Sequence, residues 1–379
     1  MNLLFSFGNL IRPTKGGTER VTSLISNGLR ARGHRVFFLI TEENITKSLP
    51  AGNYSCAGLS MEGKAEFVNK LCATLSIDAI INEAGTSDDV LFLNHERITH
   101  PCRIITCIHF DITGDLRYFY RCQAGPIRSV RDIIRRLRMP WLKWINTRSR
   151  RRRYRYLLLQ SDAVVVPAPA LVEQFFRFIG QHPDSRLHCI PNPALFAPET
   201  VHRKENLALY IGRLSPEKHV NHLLKAWAES GAEQTDWQLI IAGDGSLRSQ
   251  LEEQMRKLRL KSVRFLGNVQ DPAALYRKAA LLVLPSDYES FSMVVLEGLS
   301  FACFPIVYEF PALSQLLAKP DWGISLPQHH PHTLAMALRK AITEKLTNLP
   351  HQKDIHTHLK HFALPIILNQ WEQLIASAP

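Results

Sequence analysis

Short apolar runs separated by amphipathic stretches alternate along almost the whole chain. Asn2 to Phe7 is apolar, Gly8 to Gly17 is a polar loop containing glycine, and apolar positions then recur at helical spacing from Thr18 to Arg32. Gly33-His34 ends that helix and Arg35 to Ile40 is a second apolar run, so the chain opens as a βαβ unit. The same alternation predicts helices over Lys64 to Leu75, Ser87 to Asn94 and Ala170 to Ile179. Strands are predicted over Ala79 to Asn82, Arg103 to Ile108, Ala163 to Val166 and Leu187 to Ile190.

Pro191-Asn192-Pro193 and the polar run to Asn206 interrupt the alternation, because Pro191, Pro193 and Pro198 prevent regular structure. It then resumes. Strands are predicted at Leu207 to Ile211, Trp237 to Ala242, Val263 to Leu266, Leu281 to Leu284, a run ending at Val307, and Gly323 to Leu326. Between and after them lie helices at Glu217 to Glu229, Ser246 to Leu258, Pro272 to Ala280, Ser292 to Ser300, Pro311 to Leu317 and Pro331 to Glu344. The fold class is therefore α/β, with two Rossmann-like doubly wound parallel-sheet domains facing across a cleft. The expected domains are residues 1–192 and 193–360, with a basic insert at 127–159 and a helical tail, 361–379, that either crosses back to the first domain or packs within the second.

Charge changes this picture in one place. The formal net charge is +12, and Arg128 to Arg155 holds twelve Lys or Arg against one acid, Asp132, so the rest of the chain is close to neutral. Within RSVRDIIRRLRMPWLKWINTRSRRRRYRYLLLQ, apolar residues recur at helical spacing, arginines lie between them, and Pro140 is expected to break the helix. Arg135, Arg136, Trp141, Trp144 and Arg150 to Arg153 suit an anionic membrane surface. The segment also fits a solvated face over the sheet or, less well, a nucleic-acid contact. Seven scattered cysteines without a CxxC pair point to free thiols in a reducing compartment. The start has no basic n-region, and no apolar stretch reaches about 18 residues, so a cytoplasmic protein peripheral to the membrane is expected.

Candidate chemistry gathers where strands end. Leu281 to Val307 carries Glu289 in a turn and Glu297 inside the following helix, both near the carboxyl end of a strand, where open α/β sheets bind ligands. Either carboxylate could accept hydrogen bonds from sugar or ribose hydroxyls, or be a solvated helix charge. Gly16-Gly17 before a helix lets backbone amides approach a phosphate, but without GxGxxG or P-loop spacing it also reads as a plain turn. His109 follows its strand directly, as a structural or a catalytic histidine would.

The stretches IGRLSPEKHVNHLLKAW, LIIAGDGSLRSQLE, VRFLGNVQD and LYRKAALLVLPSDYESFSMVVLEGLS occur in one order. Together they resemble the family 4 retaining glycosyltransferases, the glycosyl transferases group 1 of the GT-B fold, most strongly over Leu207 to Val307. TKGGTERVTSLISNGLRARGHRV and His109 resemble the same family's first loop, helix and strand-end histidine. The resemblance implies a hexosyltransferase-type enzyme with an acceptor-binding first domain and a donor-binding second one. Arg213 and Lys218 would hold the donor diphosphate, with Gly16 and Gly17 packing against it. Glu297 would grip the ribose, and Gly243, Asp244 and Gly245 would line the base pocket. Glu289 and His109 would face the transferred sugar as the catalytic pair.

The resemblance implies a UDP- or GDP-sugar as co-substrate and no other cofactor. The acceptor would be a hydroxyl of a growing surface glycan: lipopolysaccharide, capsule or lipid-linked oligosaccharide. Reaction would be front-face, since no residue of the first domain stands out as a nucleophile; with no DxD motif, no metal is expected. The family usually has glycine at the positions of Ser290, Ser292 and Cys303, and a glycine-containing loop where this chain has Tyr308-Glu309-Phe310-Pro311. Serine at 292 is expected to cap its helix. Alternatives are a catalytically silent nucleotide-sugar binder and a basic nucleic-acid-binding protein.

Overall fold

The computed structural model describes the chain except residues 13–15, 44–47, 86, 88–89, 124–128, 328, 345–351 and 378–379. It divides into two compact units, Met1–Pro193 with Leu364–Pro379, and Ala194–Ala363.

In the first unit β1 (Asn2–Phe7), α1 (Gly17–Ala31), β2 (Arg35–Ile40), β3 (Asn53–Ser55), α2 (Met61–Leu75), β4 (Ala79–Asn82) and β5 (Arg103–Cys107) come first. They are followed by α3 (Gly114–Gln123), α4 (Val130–Gln160), β6 (Ala163–Val166), α5 (Pro169–Ile179) and β7 (Leu187–Cys189). Among the described residues the strands form one sheet, ordered β3-β2-β1-β4-β5-β6-β7, with every pair parallel. The order reverses between β1 and β4, which is where a doubly wound sheet opens its crevice. All four residues of β4 and of β6 are buried, as strands covered on both faces must be.

The second unit contains β8 (Glu205–Ile211), α6 (Val220–Ser230), β9 (Gln238–Ala242), α7 (Arg248–Lys257), β10 (Val263–Gly267) and α8 (Pro272–Lys278). There follow β11 (Ala279–Leu284), α9 (Met293–Ser300), β12 (Phe304–Tyr308), α10 (Leu313–Leu316), β13 (Ile324–Leu326), α11 (Pro331–Thr343) and α12 (Gln352–Leu359). Its sheet, again parallel, runs β10-β9-β8-β11-β12-β13, reversing between β8 and β11.

The last helix, α13 (Leu364–Ala376), packs on α1 within the first unit. Arg32 donates to Glu372 at 2.6 Å and to Asn369 at 2.7 Å, and His34 bonds Glu372 at 3.1 Å. The helices meet so closely that a Cβ on Gly28 would lie 2.5 Å from Leu368. Trp371 is buried on the same face.

Four local expectations change. Pro140 does not break its segment: α4 runs unbroken from Val130 to Gln160 with the proline inside. The ring removes one amide donor, and the turns on either side carry the helix through it. Of the helix expected over Ser87 to Asn94, residues 88 and 89 lie outside the described residues and 91 to 94 form no helix, although Val90, Phe92 and Leu93 join the core. Their apolar spacing reflects burial beneath a turn. Ser292 precedes α9 with φ +67 and makes no capping bond, because in the left-handed region its hydroxyl does not face the helix amides. The neighbouring left-handed residue is Ala302, φ +58, and not Cys303, so the glycine-favouring position lies one residue earlier.

Candidate functional site

In the second unit the two loops that follow β8 and β11 meet at the point where strand order reverses. The β8 loop carries Gly212 to Lys218 and the β11 loop Pro285 to Ser292. Asp287 N donates to Glu217 O at 2.8 Å, and the Lys218 ammonium donates to Glu289 at 2.6 Å, with 19% and 16% of the two side chains exposed. Two of the sequence-predicted residues are thus paired directly. Arg213 stands apart, 72% exposed, with Glu217 3.4 Å away. The cationic end of the site therefore has one ordered, half-enclosed ammonium and one guanidinium with room to move.

Gly243, Asp244 and Gly245 form the turn after β9, and their glycines have a backbone reason. Gly243 has φ +133, and a Cβ there would lie 1.9 Å from Gly212 O. A Cβ on Gly245 would lie 2.4 Å from Leu214 O, and Leu214 N donates to Asp244 O at 2.8 Å. The turn lies directly against the β8 loop, locking the backbone on either side of Arg213. Asp244 pairs with Arg248 at 3.0 Å on the surface.

Glu297, on α9, is 1% exposed, and its carboxylate accepts from Tyr276 OH at 2.8 Å. Tyr276 is fully buried and stacks on Phe301, centroids 5.8 Å apart. Glu297 is therefore a buried carboxylate held by a hydroxyl of α8.

Sequence reading missed the histidines around this loop. Asp287 is buried, and its carboxylate meets His329 Nδ1 at 3.2 Å and His219 Nε2 at 3.7 Å. His219 stacks on His222 and Tyr308 stacks on His329, with centroids 4.3 and 4.7 Å apart. Burial, then the neighbouring His219, pulls His222 down to about 4, and burial pushes the Tyr308 hydroxyl above its ordinary range. His219 also takes φ +48 between the short turn at Pro216–Lys218 and α6. Its place immediately after Lys218 was the only signal in the sequence.

In the first unit, Gly16 caps α1 through its backbone and a Cβ on Gly17 would meet open space, so the amides of the first turn are sterically accessible. The three preceding loop residues, 13–15, lie outside the described residues. His109 follows β5 as expected, and its Nε2 donates to Glu83 at the end of β4, a residue the sequence reading passed over. The donor atoms of Glu83, Cys107 and His109 lie within 4.8 Å of one another, among the described residues the sole such group that could take a metal ion. His109 also borders a small pocket with Ile108, Pro191, Asn192 and Trp371.

The basic segment divides into two halves. Tyr154, Leu157 and Leu158 of α4 are buried, whereas Ile133, Ile134, Leu137, Trp141 and Trp144 are 45 to 75% exposed along one stripe. Arg136 and Arg152 are exposed; the Arg135 side chain lies outside the described residues. Arg148 lies over the Trp144 ring and Arg151 over Phe178. Arg150 instead bonds Asp115 of α3 through both guanidinium nitrogens, at 2.5 and 2.8 Å. No helix among the described residues is long and apolar enough to cross a membrane, and all seven cysteines are free.

Known proteins bear on these observations in three ways. The chain is similar to a Campylobacter jejuni N-acetylgalactosaminyltransferase that acts on a diNAcBac-PP-undecaprenol-linked glycan. That match is 32% identical over 197 residues, covering 50% of this chain and 55% of the relative. An exopolysaccharide phosphotransferase of Streptomyces coelicolor is 29% identical over 194 residues, 50% of this chain and 20% of the relative. The chain thus spans about half or less of the length of these relatives. Among solved structures, Anabaena HepE in complex with UDP-glucose superposes with TM-score 0.76 over 100% of both chains at 15% identity. That likeness and the two parallel sheets establish the fold as GT-B, two Rossmann-like domains. Residues 192–361, the second unit almost end to end, match the family model described as Glycosyl transferases group 1.

Proposed function

We propose that the chain is a retaining glycosyltransferase that moves a hexose from a UDP- or GDP-sugar to a hydroxyl of a growing surface glycan. The observation that carries this reading is the paired Lys218 and Glu289, joined from two loops at the strand-order reversal of the unit that matches the group 1 model. In the front-face reaction the bond from the anomeric carbon to the diphosphate oxygen breaks and its electron pair stays with the diphosphate. The acceptor oxygen attacks from the same side and gives its proton to the departing diphosphate. Lys218 and Arg213 offset the charge that builds there, an electrostatic role that needs no divalent ion. Glu297 takes the ribose, Glu289 and His109 the transferred sugar, and the first turn of α1 the diphosphate.

A thermal-shift panel of UDP-, GDP- and ADP-sugars tests the donor part, since a ligand of the native state raises the melting temperature with affinity. One nucleotide class should raise it, in EDTA as well as without, and Lys218→Ala and Glu297→Ala should abolish the shift. Unimpaired shifts and turnover in both variants would sink the site. Binding without turnover on any acceptor would favour the silent binder.

The lipid-linked substrate of the Campylobacter relative and the exposed stripe of α4 support an acceptor presented at a membrane, here the inner face of the cytoplasmic membrane. Tryptophans and aliphatics between arginines suit a headgroup layer better than a nucleic acid, which offers no apolar phase to Leu137. Flotation with anionic vesicles should fall when Trp141 and Trp144 become Ser, and fall further with Arg151 and Arg152, at about 1 kcal/mol per cation. Retained flotation in all of these would remove the membrane part.

A further inference from the structure

We infer that Glu83 is a positioning residue for His109, fixing which ring nitrogen carries the proton and where the ring points; this rests on the reading of His109 as facing the donor sugar. The placement begins with the sheet. β4 lies between β1 and β5, beside the reversal of strand order, and Asn82 pairs with Thr106 in register. Glu83 therefore leaves its strand next to Cys107, two residues before His109.

The turn that carries Glu83 is fixed on both sides. Glu83 N donates to Ser6 O at 2.9 Å. Asn82 accepts from Ala84 N at 3.2 Å and donates to Gly85 O at 3.3 Å. Gly85 has φ +60, and a Cβ there would lie 2.8 Å from Cys107 O, so only glycine lets this turn rest on the end of β5. The backbone of the turn from which Glu83 reaches His109 is thus fixed by packing.

Charge and burial supply the rest. The Glu83 side chain is wholly buried, one carboxylate oxygen receives His109 Nε2, and the other has no hydrogen-bond partner. A buried carboxylate is costly unless a donor or cation faces it, so the imidazole is its compensating group. Burial, then the Glu83 charge, holds the Cys107 thiol well above its ordinary range, which keeps it neutral beside the pair. With Nε2–H committed to Glu83, the neutral ring has its lone pair on Nδ1. Sequence reasoning could find His109 by its place after β5, but its orienting partner comes from a different strand.

The test uses the full chain labelled with ¹⁵N-histidine, with His109→Gln identifying the His109 signals in long-range ¹H–¹⁵N spectra. His109 should show a proton held on Nε2, and Glu83→Gln, which keeps the shape, should redistribute it between the two nitrogens. Turnover is read with UDP-glucose, UDP-galactose, UDP-N-acetylglucosamine and GDP-mannose as probes. Glu83→Gln should lower kcat roughly tenfold or more with donor KM within about twofold. The double variant should be no slower than His109→Gln alone. An unchanged tautomer in Glu83→Gln, additive losses, or stoichiometric zinc in the purified protein would overturn the inference, and the spectra decide it even if none of the four sugars is turned over. A fully active His109→Gln would instead bring down the donor-facing reading of His109. Kinetics sensitive to His109 and indifferent to Glu83 would remove only the role of Glu83.

Discussion

Each unit places a carboxylate against a cationic or proton-bearing group beside the reversal of its strand order, and the two pairs differ in burial. Lys218 and Glu289 are joined across two loops, each side chain about a sixth to a fifth exposed. Glu83 has no exposed side-chain surface, and His109 only 14%. In the first pair both groups keep some exposed side-chain surface. In the second, one member faces outward and the other is locked behind it. Function assigned by motif finds outward groups; the group behind them has to be found by asking what satisfies a buried charge.

Substitutions separate the two designs. The largest loss is expected from Lys218→Ala, about 10² to 10³-fold in kcat/KM with the probe sugars, as for other donors aimed at developing charge. Arg213→Ala, from an exposed and loosely held group, should cost nearer tenfold. Equal losses in the two would mean that the ordered pair has no special place. Gly243→Ala should destabilise the second unit by roughly 3 kcal/mol in urea unfolding, because Gly212 O blocks the new Cβ. Unchanged stability there would show that the β8 and β9 loops are not locked together. Glu297→Gln should weaken nucleotide binding about tenfold by calorimetry while leaving the melting temperature within a few degrees.

A pH effect is expected at α13, where the hydrogen bond from His34, then Arg32, holds the Glu372 carboxyl below its usual range. A depressed carboxylate stabilises above its unfolded value and loses that contribution as pH falls through the folded one. Protection of the α13 amides against exchange, taken relative to the intrinsic rate at each pH, should therefore fall as the pH drops below the ordinary glutamate range, and Glu372→Gln should remove that loss. The smallest effect is a gain: Ser292→Gly should stabilise by at most about 1 kcal/mol, relieving φ +67 against the added freedom of the unfolded chain.

Much of this molecule was legible before its structure. Alternating apolar runs gave both parallel sheets, since strands covered on two faces need continuous apolar residues and their helices need one apolar stripe. The prolines from Pro191 to Pro198, which exclude helix and strand alike, flank Ala194, where the second unit begins. Glu289 and Lys218 were legible as motif members, but their 2.6 Å pairing was not, because it closes a loop of 71 residues. Glu83 left no trace because a buried carboxylate after a strand looks like any turn residue. Pro140 misled for a physical reason: a proline costs one hydrogen bond, which the 31 residues of α4 absorb.

The docking of α13 on α1 makes the first unit discontinuous in the chain, with Ala194–Ala363 lying between its two parts. Arg32 finds Glu372 across 340 residues, and most of that interval is a separate compact unit. During synthesis at roughly 5 to 20 residues per second, the first sheet would wait on the order of ten seconds or more for its last helix. Until then the α1 surface around Gly28 is uncovered, and the second unit has time to fold before the first is complete. The order of assembly is thus inverted relative to the order of the chain: the part made first is finished last.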